Sequence, residues 1–158
     1  MSLQPIIWRF TSENLKKITK DLDSFIVGSD QVWRFEYIKN NYPVYFLDFV
    51  SNEKKKIAYA ASFGKDHWEG DEKSIKHIKS LIKNFDLVTT RELSGISICS
   101  DTFDHSDVSQ ALDPSFLPSV NFYKALIQKV TLSHKIGLFN YVLDSSIKSD
   151  IIVDQISD

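Results

Sequence analysis

Four short stretches rich in polar residues and glycine each follow an apolar run that predicts a buried strand. They are residues 28–31, 62–64, 91–92 and 113–114. Their residue types suit a polar ligand, because glycine permits close backbone approach while carboxylates, an amide and a guanidinium supply hydrogen bonds and charge. Three of them also have a purely structural interpretation: the first as a turn and helix cap, the third as a solvated first helical turn, and the fourth as a plain turn.

The elements around these stretches alternate between strand and helix patterns. Apolar runs predict strands, and apolar residues at helical spacing predict helices. The predicted strands cover residues 25–27, 56–61, 87–90 and 109–112; the predicted helices cover residues 13–18 after Thr11 and Ser12, 71–85 and 91–99; residues 45–50 are either a strand or the tail of a loop. This alternation predicts an α/β fold, a Rossmann-like open parallel sheet covered by helices. The strand ends then share one edge, where ligands of such sheets bind.

The pattern restarts after Pro118. Asn121 is the predicted cap of a helix over residues 122–129, and residues 135–143 predict a long strand followed by a final helix. We therefore expect two parts: residues 1–118 as a Rossmann-like N-terminal domain, and residues 119–158 as a linker helix with the first strand and helix of a truncated second domain.

Composition limits the class of protein. The chain has 158 residues, of which 42% are hydrophobic and 25% charged, with a net charge of −2. No stretch concentrates lysine and arginine, which argues against nucleic-acid binding. No apolar run is long enough for a membrane span. The single cysteine, Cys99, predicts a small buried hydrophobe and fits a reducing, cytoplasmic setting.

Several familiar sites are excluded by spacing. With five glycines in the chain, neither a dinucleotide fingerprint nor a phosphate-binding loop is present. Asp101, Asp104, His105 and Asp107 form an acidic cluster that does not fit a calcium loop, so it is interpreted as a solvated loop. The sequence predicts neither a metal site nor a bound cofactor.

A family resemblance rests on five motifs in order. The signature Gly-Ser-Asp-Gln-Val-Trp at residues 28–33 resembles that of the polysaccharide pyruvyl transferase family, and the resemblance continues through residues 45–49, 56–64, 91–95 and 112–115. It covers residues 8–118, with a looser match beyond. From this resemblance we expect that a counterpart of the family's first strand and most of the second domain are absent from this sequence. Arg34 stands where the family usually has Asn.

The resemblance implies a two-domain fold similar to GT-B glycosyltransferases, with the substrate cleft between the domains. It implies a bacterial transferase of exopolysaccharide or cell-wall biosynthesis. The implied reaction transfers a pyruvyl group from phosphoenolpyruvate, a co-substrate, to a sugar hydroxyl of a polysaccharide precursor. The product is a ketal. Asp30 is the catalytic candidate, as base or orienter, and Arg91 is expected to meet an anionic group. The substrate-binding candidates are Gly28, Ser29, Gln31, Trp33, Ser62, Phe63, Gly64, Arg91, Glu92 and Asp113.

Two alternatives stay open at this stage. One is a non-catalytic remnant that binds sugar or a partner chain, and the other is a GT-B-like glycosyltransferase domain that uses a nucleotide-sugar. Because the second domain is largely missing, we expect this chain alone to be inactive. The missing first strand exposes a sheet edge, which we expect the strand at residues 135–143 to cover, within the chain or in a homodimer.

Overall fold

The computed structural model describes residues 11–128 of the chain. By contacts the whole chain divides into two compact units, Met1–Pro118 and Ser119–Asp158. The strand and helix expected beyond residue 128 lie outside the described residues. None of the described helices is long and apolar enough to cross a membrane.

Four parallel strands form the sheet of the first unit, in the order β1-β2-β3-β4. Their bounds are β1 Ser24–Val27, β2 Lys55–Ala61, β3 Leu87–Thr90 and β4 Val108–Gln110. The fold class expected from the sequence, an open parallel α/β sheet, is therefore confirmed. All four strands lie within about two residues of their predicted positions. β1, β2 and β3 each carry a run of apolar or β-branched residues, whereas β4 has one such residue, Val108, and is followed by Ala111 and Leu112.

Helices and helical turns connect the strands. The helices are α1 Ser12–Ile18, α2 Phe35–Ile38, α3 Tyr42–Tyr45, α4 Glu72–Ile82, α5 Leu93–Ser97 and, in the second unit, α6 Val120–Ile127. The Thr11 side chain caps α1 and the Asp71 side chain caps α4, each by accepting a hydrogen bond from a backbone N–H of the first turn. A π-helical turn, Ile98–Thr102, extends α5.

Two local expectations are corrected by the structure. The strand alternative for residues 45–50 is wrong, since α3 ends at Tyr45 and a series of turns follows. The apolar run there reflects burial of Phe46, Leu47 and Val50, not an extended backbone. The predicted cap of α6 is also wrong. The Ser119 hydroxyl, not Asn121, accepts the hydrogen bond from the backbone N–H of Phe122.

The two faces of the sheet differ in burial. On one face Ala58 and Val88 pack into the main core, together with Trp33, Phe46 and Phe103. On the other face Ile26, Ile57 and Leu87 lie side by side across three strands, and Ile26 is 68% exposed. The core that positions the strand ends is therefore on one side of the sheet within the described residues.

A bulge near the end of β2 shapes its exit. The register with β3 shifts between Ala58 and Ala61, and Ala60 has a φ of 48°. The buried Thr89 hydroxyl accepts a hydrogen bond from the Ala60 N–H at 2.8 Å and donates one to the Ala58 carbonyl at 3.1 Å. The polar groups that the bulge would otherwise leave unpaired are thereby satisfied, and the residues that follow are directed over the strand ends.

Candidate functional site at the strand ends

The polar stretches predicted to converge do meet at the carboxyl edge of the sheet. Ser29 follows β1 and Asp113 follows β4, and the Ser29 hydroxyl donates a hydrogen bond to Asp113 Oδ2 at 2.9 Å. These two strands are the outermost of four, about 14 Å apart at ordinary strand spacing. The loops after β1 and β4 must therefore curve inward over the ends of β2 and β3. We call the group of Asp30, Arg91, Glu92 and Asp113 the strand-end cluster.

Arg91 lies at the centre of the strand-end cluster. Its Nε donates to Glu92 Oε1 at 2.9 Å, and its Nη1 lies 3.5 Å from Asp113 Oδ2 and 3.9 Å from Asp30 Oδ1. The hydrogen bond to Glu92 is the main reason that the pKa of Arg91 is raised above its ordinary value. The guanidinium is thus a fixed positive charge around which three carboxylates are arranged.

Asp113 is held as a permanent negative charge. Its Oδ1 accepts the backbone N–H of Ser115 at 3.0 Å, and its Oδ2 accepts from Ser29. These hydrogen bonds, with a contribution from Arg91, lower the pKa of Asp113 to about 2. A carboxylate this weakly basic takes up protons poorly near neutral pH, so Asp113 is suited to orienting its neighbours.

Glu92 is tied to the end of β2. The hydroxyl of the fully buried Ser62 donates to Glu92 Oε1 at 3.0 Å and accepts the backbone N–H of Gly64 at the same distance. Oε1 therefore accepts from both Ser62 and Arg91. Ser62 acts through Glu92, because its own side chain has no access to solvent.

Asp30 differs from the other two carboxylates. Its side chain is 87% exposed, and within the described residues its carboxylate has one close partner, Arg91 at 3.9 Å. Its backbone carbonyl is fully used, accepting the N–H groups of Val32 and Ser62. The helix-cap alternative for Asp30 is wrong, since it caps none of the described helices. Its φ of 45° instead places it in a tight turn with a free carboxylate.

Gly28 is required by the close approach of two strands. It has a φ of 128°, and a Cβ atom at this position would lie 2.0 Å from the Tyr59 carbonyl oxygen. A side chain at residue 28 would therefore push the turn that carries Ser29 and Asp30 away from β2. Gly28 therefore sets the position of this turn at the strand ends.

Gln31 and Gly64 form a second layer beside the strand-end cluster. Gln31 Oε1 accepts a hydrogen bond from Arg34 Nη1 at 3.0 Å, and a Cβ at Gly64 would lie 2.6 Å from the same oxygen. Arg34 also contacts Tyr37 and Glu36, so its charge is partly neutralised. This interaction positions the Gln31 side chain, a role for Arg34 that the family motif does not predict.

Two of the predicted substrate-binding residues are corrected to core residues. Trp33 has no exposed surface and Phe63 is 2% exposed. The Trp33 ring stacks on Phe46 with centroids 4.7 Å apart, and its Nε1 donates to the Tyr45 carbonyl. Because no ligand can reach these rings, they anchor the loops after β1 and β2 in the core instead of contacting substrate.

Two contributors were missed at the level of sequence. Gln110 donates from Nε2 to the Arg91 carbonyl at 3.0 Å, and Ser115 supplies the backbone N–H that holds Asp113. An Asp-Pro-Ser sequence indicates an Asx-type turn in which the aspartate accepts a backbone N–H two residues later, so Ser115 had a readable signal. No sequence pattern indicated the role of Gln110, because the direction of a side chain at the end of a short strand depends on how that strand is aligned with its neighbour.

The chemistry of the strand-end cluster follows from its charges. Three carboxylates surround one guanidinium, giving a formal charge of 1 − 3 = −2 from the residues of the cluster. Such a site accepts hydrogen bonds from hydroxyl groups and opposes the approach of an anion. Within residues 11–128 no three His, Cys, Asp or Glu side chains are placed so that together they could hold a metal ion.

Comparison with known proteins gives one positive finding. Neither a curated protein nor a solved structure matches the chain. The model of one protein family, polysaccharide pyruvyl transferase, matches residues 2–155, which is most of the chain. The motifs at the strand ends lie inside this match, and the chain belongs to the polysaccharide pyruvyl transferase family.

Proposed function

We propose that the strand-end cluster binds the acceptor in a pyruvyl transfer, a sugar unit of a cell-surface or exopolysaccharide precursor, and that phosphoenolpyruvate is the donor. Family membership supports the reaction class. The charge of the cluster supports the assignment of the acceptor, since a neutral sugar presents hydroxyl donors to carboxylates without electrostatic cost.

The proposed reaction balances with two sugar hydroxyls. The first hydroxyl oxygen bonds to C2 of phosphoenolpyruvate, while its proton passes to a base and C3 gains a proton to become a methyl group. The C2–O bond to phosphate then breaks and phosphate leaves with the electron pair. The second hydroxyl attacks C2 and releases its proton, which completes a cyclic ketal. The protein must supply a base for the hydroxyls and an acid for C3.

Asp30 is the proposed base, and the observation that carries this proposal is that its exposed carboxylate accepts no hydrogen bond within residues 11–128. Glu92 accepts hydrogen bonds from Ser62 and Arg91, and Asp113 accepts them from Ser115 and Ser29. Asp30 retains its lone pairs for a ligand, at a side chain 87% exposed. Arg91 Nη1 lies 3.9 Å from Asp30 Oδ1, so this carboxylate lies beside the guanidinium at the strand ends.

The donor requires positive charge that this cluster does not offer. Phosphoenolpyruvate carries a carboxylate and a phosphate, and both need fixed cations or N–H donors. Arg91 is already surrounded by three carboxylates. We therefore assign Arg91 to organising the carboxylates instead of meeting the donor, and we expect the donor's cations from outside residues 11–128.

Phosphate release from phosphoenolpyruvate tests the proposal directly. The protein is expressed from the whole reading frame that carries this chain and is incubated with phosphoenolpyruvate and lipid-linked or free polysaccharide precursors. We expect phosphate release that depends on an added acceptor, with a new ketal methyl signal in the product. Transfer from a nucleotide-sugar instead would favour the glycosyltransferase alternative. Acceptor binding without any transfer would favour the non-catalytic remnant, and either result would overturn the proposal.

A further inference from the structure

A cavity lies away from the strand-end cluster, between the loop that follows β2 and the end of α5. Its volume is about 340 Å³, within the range of ligand pockets. It shares no residue with the cluster. It is lined by Asp66, His67, Trp68, Ile75, Ser97, Ile98, Asp101 and Thr102.

The floor of the cavity is apolar and well supported. Trp68 is half-buried and contacts Phe35 and Phe103 with ring centroids 4.9 and 5.2 Å apart, while its Nε1 donates to Ser74 Oγ. Ile98 beside it is 3% exposed. An indole held in this way by its neighbours presents a rigid apolar surface at little entropic cost.

The rim of the cavity is polar and acidic. Asp66 and His67 form an exposed pair, with Asp66 Oδ1 2.7 Å from His67 Nδ1, and this hydrogen bond lowers the pKa of Asp66. On the other side Asp101 and Thr102 belong to the π-helical turn that ends α5. Turns of this kind interrupt regular helix and recur at functional sites.

An apolar floor with a carboxylate and hydroxyl rim matches the two-sided chemistry of a sugar ring. The C–H groups of the ring can cover the exposed part of the Trp68 indole, while its hydroxyls donate to Asp66 and Asp101. Two carboxylates also disfavour an anion such as phosphoenolpyruvate. We propose that this cavity is a second glycan subsite that holds a neutral sugar unit of the acceptor away from the reacting unit. The proposal rests on the proposed function, because it assumes a polysaccharide acceptor.

The spacing of the two sites suits a polymer. Ser62, which donates to Glu92 of the strand-end cluster, and Asp66 on the cavity rim are four residues apart in the same loop. Four residues of extended chain span at most about 14 Å, so the two sites lie within reach of a few linked sugar units. A polymer that occupies both sites is bound more tightly than a single sugar unit because its second contact is intramolecular.

Binding of neutral tetrasaccharides to this chain tests the subsite. The probes are tetrasaccharides of glucose, mannose, galactose and N-acetylglucosamine, with the matching monosaccharides, and backbone amide and Trp68 indole resonances are followed by NMR. We expect at least one tetrasaccharide to shift resonances of residues 66–68 and 97–102 and to bind more tightly than its monosaccharide. The double variant Asp66→Ala/Asp101→Ala should weaken its affinity about tenfold or more.

A matched control removes two exposed acids elsewhere in the chain. Glu53→Ala/Asp107→Ala changes the net charge equally and touches neither site, so it should bind like the wild type. Shifts confined to residues 29–31, 91–92 and 113, with unaltered affinity in the cavity variant, would overturn the subsite and leave the proposed function intact. Shifts confined to the cavity would support the subsite and contradict the acceptor assignment of the strand-end cluster. No shift at the cavity with any probe would overturn the inference.

Discussion

Single residues at the end of β1 fix the geometry of the strand-end cluster. Gly28 permits the approach to the Tyr59 carbonyl, Ser29 reaches across to Asp113, and Asp30 keeps its carboxylate free. The three consecutive residues thus have three different roles: backbone clearance, cross-linking of loops and contact with a ligand.

Gly28→Ala should destabilise the protein strongly. The new Cβ would lie 2.0 Å from a backbone oxygen at a φ of 128°, so the turn or β2 must move. We expect a loss of about 2 kcal/mol or more in the free energy of unfolding, measured by chemical denaturation. The control Ser109→Ala, at an exposed position of β4, should change it little. Equal midpoints for the two variants would contradict this account of Gly28.

Asp113 should make folding stability depend on acidic pH. Its pKa is about 2 in the folded protein, below the ordinary 3.8, so its contribution is complete above about pH 4 and is lost as the pH falls towards 2. Asp113→Asn removes the charge at every pH. We therefore expect the variant to be less stable than the wild type near neutral pH, with a difference that shrinks below about pH 4. Urea midpoints across this range measure it, and a difference that grew on acidification would contradict the assignment.

The sequence identified all four residues of the strand-end cluster but not their interactions. Asp30, Arg91 and Asp113 each follow an apolar run, and parallel strands bring such positions to one edge. The structure shows that Arg91 contacts three carboxylates and that Trp33 points into the core. Both features depend on side-chain direction and on how the loops curve over the strand ends. Residue type and order along the chain do not encode these directions.

At the scale of elements, the strands were predictable because burial on the core face gives them short apolar runs. An apolar run did not correspond to a strand at residues 45–50. Phe46 and Val50 there are buried, but they lie in turns that follow a one-turn helix. An apolar run records burial, and a short run is compatible with strand, helix or a packed turn. The bulge at Ala60 could not be predicted from the sequence of β2 either, because it depends on a hydrogen bond with the Thr89 hydroxyl of the neighbouring strand.

The asymmetry of the sheet predicts unequal costs for truncating apolar residues. Phe46 is 1% exposed and stacks on Trp33, whereas Ile26 is 68% exposed on the other face. Phe46→Ala should cost about 3–5 kcal/mol of unfolding free energy. Ile26→Ala should cost about 0.5 kcal/mol or less. Denaturant titration of both variants checks this, and similar losses would show that the Ile26 face is also packed in solution.

Cys99, in the π-helical turn, should be unreactive towards thiol reagents in the folded protein. The side chain has no exposed surface, and burial raises the pKa of its thiol to about 12. Since the thiolate is the reactive form, we expect slow labelling by an aromatic disulfide reagent at neutral pH and fast labelling in denaturant. Equally fast labelling in both conditions would show that the end of α5 opens readily.

For the whole molecule, the fold class and the family could be predicted from the sequence. The separate roles of the residues in the strand-end cluster could be assigned only from the structure. Five ordered motifs indicated the family to which the chain belongs. The charge balance around Arg91 was not readable from those motifs, and it is the reason for assigning the strand-end cluster to the acceptor. The proposed transfer therefore depends on one exposed carboxylate, Asp30, to accept a hydroxyl proton.

Turnover by Asp30→Asn is the most direct test of this claim, measured as acceptor-dependent phosphate release by the protein from the whole reading frame. Because the amide keeps the shape and loses the basicity, the rate should fall by about 10²–10⁴-fold. The thermal midpoint should stay close to that of the wild type, since Asp30 is 87% exposed and caps none of the described helices. Near wild-type turnover in Asp30→Asn would contradict the assignment of Asp30 as the base.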